Sequence, residues 1–133
     1  MEQVKAAGKA RSIGVSNFLQ SHLETVLETA QVIPSVNQIE YHPYLQHGTL
    51  VPWQESKGIK TVSYSGLTPA TRAVGGPLDS LLAGLATKYA VNPAEILLRW
   101  CLDQGVVSIT TSGKETRLAS YLRVLTFKLT PVE

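Results

Sequence analysis

Polar side chains able to bind a ligand collect where short apolar runs end. Ser16 and Asn17 follow Ile13-Gly14-Val15, Gln38 lies within Val36-Asn37-Gln38-Ile39-Glu40-Tyr41-His42-Pro43, and Tyr64 and Ser65 precede Gly66 and Leu67. An amide needs one donor and one acceptor, and the Ser, Asn and Gln side chains offer both. An aromatic face such as that of Tyr64 can stack on a planar ring. Farther on, Thr110-Thr111-Ser112-Gly113-Lys114-Glu115-Thr116-Arg117 combines hydroxyls, a helix start and an arginine. Such a loop suits a phosphate, which Arg117 can meet bidentately. Taken singly, each feature also has a plainer reading. Ser-Asn is commonly a turn or cap, Tyr64 could be core, and Lys114, Glu115 and Arg117 could be a solvated first turn.

Other reactive types do not assemble into a site. His22, His42 and His47 have no carboxylate or Cys at a recognised metal-ligand spacing. His22 opens a surface helix, and His42 before Pro43 is expected to shape the rim. Cys101 beside Trp100 on an apolar helix is expected in the core rather than as a nucleophile. Glu40 shares a strand face with Gln38, and no acid or base partner for it can be identified. No complete catalytic constellation emerges.

The elements that must position these residues alternate in type. Strand-like runs near Ser12–Ser16, Ser35–Tyr41, Lys60–Ser65 and Val106–Thr110 are separated by helical patterns, the signature of βαβ units and a parallel sheet. Met1–Ala7 is a short helix closed by Gly8, and Ser21–Gln31 carries Leu23, Val26, Leu27 and Ala30 at helical spacing. Gly48–Lys57 holds a further helix with Pro52 near its first turn. Pro77–Tyr89 repeats Leu78, Leu81, Leu82, Leu85 and Ala86, and Asn92-Pro93 supplies a cap and first-turn proline for Ala94–Gln104. Gly66–Pro77 is too rich in Gly and Pro for regular structure and reads as a long rim loop that shapes a substrate or cofactor pocket.

The strings Gly14-Val15-Ser16-Asn17-Phe18, Val36-Asn37-Gln38-Ile39-Glu40-Tyr41-His42-Pro43 and Ser63-Tyr64-Ser65-Gly66-Leu67 together make the chain resemble the second half of an aldo-keto reductase. The resemblance implies an α/β fold, a partial (β/α)8 TIM barrel of about four βα units with parallel strands and outer helices. It implies that Ser16, Asn17 and Gln38 hold the nicotinamide carboxamide and that Tyr64 stacks on its ring, with Ser65 and Leu67 alongside. Thr111, Ser112, Lys114 and Arg117 would take the 2′-phosphate of NADP(H). The family usually has Lys at the position of Thr111 and Asn at that of Tyr121; Lys114 can supply the charge, and Thr110-Thr111-Ser112-Gly113-Lys114 resembles a fungal branch of carbonyl and ketoamide reductases. NAD(H) stays open as the cofactor.

The family reaction is reduction of aldehydes and ketones, so the resemblance implies a small-molecule carbonyl substrate for the full-length enzyme. The family's catalytic Asp, Tyr, Lys and His belong to the other half, so 133 residues are expected to form a single incomplete domain, inactive as a reductase. A complete barrel needs roughly 250 residues. Thr130-Pro131-Val132-Glu133 reads as a helix start without its helix, and Met1–Lys9 resembles an internal family helix; a genuine short product and a truncated gene model both fit. Net charge is +2 with no basic run, which argues against nucleic acid, and no apolar stretch suits a membrane span. One cysteine and no signal-like start favour a reducing, cytoplasmic setting. The expected partners are further copies of the chain or a missing N-terminal half. Two alternatives remain: a non-catalytic nucleotide-binding or protein-interaction module, and a scaffold recruited to another reaction.

Overall fold

Val36–Glu40 alternates half-buried and buried positions, which puts Asn37 and Ile39 on one face of a strand and Val36, Gln38 and Glu40 on the other. In the computed structural model, which describes residues 1–133, this strand (β2) lies second in a four-stranded sheet of order β1-β2-β3-β4. The neighbours are β1 (Val15–Ser16), β3 (Lys60–Tyr64) and β4 (Val107–Ser108), and all three pairings are parallel. Sequential order with parallel pairing is the arrangement of successive strands in a (β/α)8 barrel, as the sequence implies. The outer strands are shorter than the runs Ser12–Ser16 and Val106–Thr110. Each has a neighbour on one side only, although single backbone bonds extend the pairing at Ile13 and Ile109.

Helices cover one face of the sheet. α1 (Glu2–Ala6) precedes β1, α2 (Gln20–Thr29) joins β1 to β2, and α3 (Leu50–Ser56) joins β2 to β3. Leu23 of α2 and Leu50 of α3 meet Ile39, Tyr41, Ile59, Cys101 and Val106 in one core cluster. Between β3 and β4 come α4 (Thr68–Thr71), α5 (Asp79–Tyr89) and α6 (Pro93–Asp103); α7 (Glu115–Leu122) and a 3-10 turn (Arg123–Leu125) follow β4. A second cluster, Leu82, Leu85, Ala86, Ile96, Leu97 and Leu129, joins α5 to α6 and the C-terminal segment. Cys101 lies fully buried in the first cluster, as expected, and burial pushes its thiol up to about 11. No helix is long and apolar enough to cross a membrane.

Gly66–Pro77 departs from the sequence reading, because it contains α4. Pro69 lies within the first turn, where its missing N–H costs nothing, and the Thr71 hydroxyl donates to the Leu67 carbonyl (2.9 Å). The rest of the segment is pinned from below. The Tyr44 hydroxyl accepts from the Leu78 N–H (3.0 Å), and a Cβ at Gly76 would lie 2.6 Å from that hydroxyl, so a larger residue there would have to displace it from this bond. The helix signal at Asn92 is met in full: its side chain accepts from the Glu95 N–H, and Glu95 accepts from the Asn92 N–H.

Candidate functional site

Both β1 and β3 are followed directly by a residue with left-handed backbone, Asn17 (φ 58) and Ser65 (φ 53). Asn tolerates this region and Ser less so; such conformations persist where the surroundings fix them, and they cluster at functional sites. The turn at Asn17 is fixed by a buried amide network. Asn37, fully buried, donates to the Phe18 carbonyl (2.9 Å) and to Gln54 of α3 (3.0 Å), and accepts from the Phe18 N–H (3.3 Å). Gln54 in turn donates to the Thr61 hydroxyl. One chain of side chains therefore ties the β1 turn to β2, α3 and β3.

On the opposite face, the sheet brings the expected ring-end residues together. Ser16 pairs with Gln38 in register, and Glu40 with Tyr64. The Tyr64 hydroxyl donates to Asn17 Oδ1 (2.8 Å), Asn17 Nδ2 donates to Ser16 Oγ (3.2 Å), and Ser16 Oγ donates to the Gln38 carbonyl (2.9 Å). The Gln38 side-chain amide is left without a protein partner. Three of these four side chains are locked to one another, and the fourth presents a free donor and a free acceptor.

A cleft of about 360 Å³ runs from Tyr64 past Ser65, Leu67, Thr68 and Thr71 to Ile109 and Thr111. A second, of about 290 Å³, is lined by Leu67, Thr71, Pro93, Ala94, Arg117 and Tyr121. Leu67 and Thr71 line both, so the two clefts adjoin between the end of β3 and α7, while Ser16, Asn17 and Gln38 line neither. Ser112 and Lys114 stand apart from both cleft linings. Ser112 Oγ accepts from the Lys114 N–H (3.1 Å), and Lys114 is the N-cap of α7. Neither Lys114 nor Arg117 takes part in an ion pair; the four Lys and Arg pairs in the chain involve Lys60, Lys88, Arg99 and Arg123.

Two features escape the sequence reading. Glu40 does have a partner: His42 Nε2, on a buried ring, lies 3.3 Å from its carboxylate, and the Thr68 hydroxyl lies 3.5 Å away. The second is Glu95, fully buried, whose carboxylate meets the guanidinium of Arg123 in a two-point contact (2.8 and 2.8 Å). This clamp holds the end of α7 to α6, and with it the helix that carries Arg117.

The aldo/keto reductase family model matches residues 1–73. An NAD/NADP-dependent indole-3-acetaldehyde reductase of Schizosaccharomyces pombe is 40% identical over 131 residues, which is 97% of this chain and 46% of that protein. An NADPH-dependent alpha-keto amide reductase of Saccharomyces cerevisiae is 37% identical over 139 residues, covering 100% of this chain and 45% of that protein. The crystal structure of a Bombyx mori aldo-keto reductase in complex with NADP superposes with a TM-score of 0.90 at 34% identity, over 98% of this chain and 44% of that one. The chain thus spans about half the length of the relatives it matches. With four parallel strands in sequential order as the resemblance implied, the chain belongs to the aldo/keto reductase family.

Proposed function

We propose that residues 1–133 form one domain, the cofactor-holding half of a carbonyl reductase barrel, and that its groove takes NADP(H). The carrying observation is the linked Ser16–Asn17–Tyr64 cluster with the free Gln38 amide beside it, at one end of two adjoining clefts whose other end holds the unpaired Arg117. A nicotinamide dinucleotide phosphate has the matching ends: a planar carboxamide ring and a phosphorylated ribose. The residues fit the group. Gln38 offers its free amide to the carboxamide, Ser16 and Asn17 supply further hydroxyl and amide groups beside it, and the Tyr64 face takes the ring. Thr111, Ser112, Lys114 and Arg117 supply hydroxyls and charge to the 2′-phosphate. The cationic pair favours NADP(H) over NAD(H).

Bound in reduced form, the cofactor supplies a hydride to the carbonyl carbon of an aldehyde or ketone. The chain's own residues orient the nicotinamide and set which ring face is open. The Tyr64 hydroxyl is committed to Asn17, and the neighbouring Glu40 carboxyl to His42 and Thr68. Proton delivery therefore falls to groups outside these residues, and the 133-residue chain alone oxidises no NADPH above background with an aromatic aldehyde. Steady turnover, abolished by Tyr64→Ala, would overturn that statement. The buried Cys101 thiol suits a reducing compartment, and the cytoplasm is the setting we propose.

The test of cofactor choice is a titration of both reduced nucleotides followed by tryptophan fluorescence. Arg117→Ala is expected to weaken NADPH about 10- to 100-fold, the worth of a charge-assisted contact, and NADH less than about threefold. Equal losses would remove Arg117 from the phosphate end.

A further inference from the structure

We infer that Arg72 is a further cation for the bound nucleotide, its guanidinium meeting the diphosphate that joins the two ribose units; the assignment rests on the NADP(H) reading above. The first observation is where the arginines go. Arg99 is paired with Asp103 and Arg123 with Glu95, whereas Arg72 and Arg117 meet no carboxylate, and these two line the adjoining clefts. No Asp or Glu lines either cleft, although the chain has 10 acidic residues against 12 basic ones. Glu40 lies 3.5 Å from the Thr68 hydroxyl, but it is already paired with His42. A concave site that holds cations and no carboxylate attracts an anion.

The second observation is which donors are free. In the first cleft the Tyr64 hydroxyl donates to Asn17 (2.8 Å) and the Thr71 hydroxyl to the Leu67 carbonyl (2.9 Å). The Arg72 side chain is exposed and has no hydrogen-bond or ion-pair partner within the chain, so its whole fork of N–H groups is open to a ligand. A planar fork of this kind matches two phosphate oxygens at once.

The third observation is position. Arg72 directly follows Thr71, which lines both clefts, and its backbone N–H donates to the Thr68 carbonyl (2.9 Å). That bond closes α4, so the short helix inside Gly66–Pro77 sets where the arginine stands. A dinucleotide laid from Tyr64 to Arg117 has its diphosphate in the middle, where the two clefts adjoin. The diphosphate is common to NADPH and NADH. Arg72 therefore contributes to the binding of both, whereas Arg117 distinguishes them.

Titration of the full chain with NADPH and with NADH, followed by tryptophan fluorescence, tests the assignment. Arg72→Ala is expected to weaken both nucleotides about tenfold, the lower end of what a charge-assisted contact contributes, because the site is open to water. Arg72→Lys keeps the charge without the fork and should recover part of the loss. Added salt should weaken the wild-type complex more than the Arg72→Ala complex, since one screened contact is missing from the latter. A purely structural role would produce neither the lysine rescue nor the change in salt dependence, and circular dichroism of each variant verifies folding. Three results would overturn the proposal, each in a different way. If the wild-type chain binds neither nucleotide, the NADP(H) reading fails and the role of Arg72 with it. If both bind and Arg72→Ala leaves both affinities within about twofold, the reading stands and Arg72 has no part in it. A loss confined to NADPH would put Arg72 at the 2′-phosphate instead of the diphosphate.

Discussion

The ring end of the candidate site and its phosphate end are built in opposite ways. Ser16, Asn17 and Tyr64 are bonded to one another, and behind them the buried Asn37–Gln54–Thr61 chain fixes the turn that carries Asn17. At the other end Thr111, Lys114 and Arg117 are exposed and make no side-chain contact among themselves. An amide is recognised by direction, which requires the donors and acceptors to be set in advance. A phosphate is recognised by charge, which tolerates movement, and long cationic side chains on a helix supply it without a fixed frame. What order the phosphate end has comes from a distance, through the Glu95–Arg123 clamp on the far side of α7.

If the ring end depends on its buried frame, Asn37→Leu should have the largest effect. It would leave the Phe18 N–H and C=O and the Gln54 carbonyl oxygen without partners inside the protein. Each orphaned buried group costs about 1–3 kcal/mol, and relaxation recovers part of the sum, so a loss of about 3 kcal/mol is expected in urea unfolding. A loss under about 1 kcal/mol would mean that the turn holds its shape without the network, and the contrast between the two ends would fail.

The clamp should matter less for stability and be visible through pH. Burial pushes the Glu95 carboxyl up, but the Arg123 guanidinium and the Asn92 N–H outweigh it and hold the group below its ordinary value. A carboxyl lowered on folding contributes stability that is fully present above its unfolded value, about 4.3, and lost as pH falls through the folded one. Glu95→Ala should therefore cost about 2 kcal/mol at neutral pH, through lost charge-assisted bonds and the helix cap. The gap between wild type and variant should narrow on acidification below about pH 4.3. A gap that stays constant with pH would show that packing, not the ion pair, holds α7.

These partners explain what was legible in the sequence. β2 and β3 have five-residue runs with neighbours on both sides, so their extents were legible, whereas the shared face of Gln38 and Tyr64 comes from their register. The edge strands are paired on one side only, and their ends are blurred accordingly. Asn37 went unread because it sits beside Gln38 but faces the helices, and its partner Gln54 is 17 residues away in a different element. Glu95 was visible as part of an Asn-x-x-Glu cap, yet Arg123, 28 residues on, could be found only in three dimensions. Gly66–Pro77 was misread in part because proline, a breaker inside helices, is welcome in a first turn.

The smallest effect separates the two uses of Tyr64. Its hydroxyl holds Asn17, and its ring is the surface on which a nicotinamide would lie. Tyr64→Phe removes only the hydrogen bond at a half-exposed position, where water can take over at Asn17, so the stability loss should be about 1 kcal/mol or less. The ring face survives, and NADPH affinity should stay within about threefold of wild type. Tyr64→Ala removes the face as well and should cost about tenfold or more for both reduced nucleotides, because the nicotinamide end is common to them. A large loss in Tyr64→Phe would shift the weight from the ring to the hydroxyl. It would mean that holding Asn17 in its left-handed turn, rather than stacking, is how Tyr64 prepares the ring end.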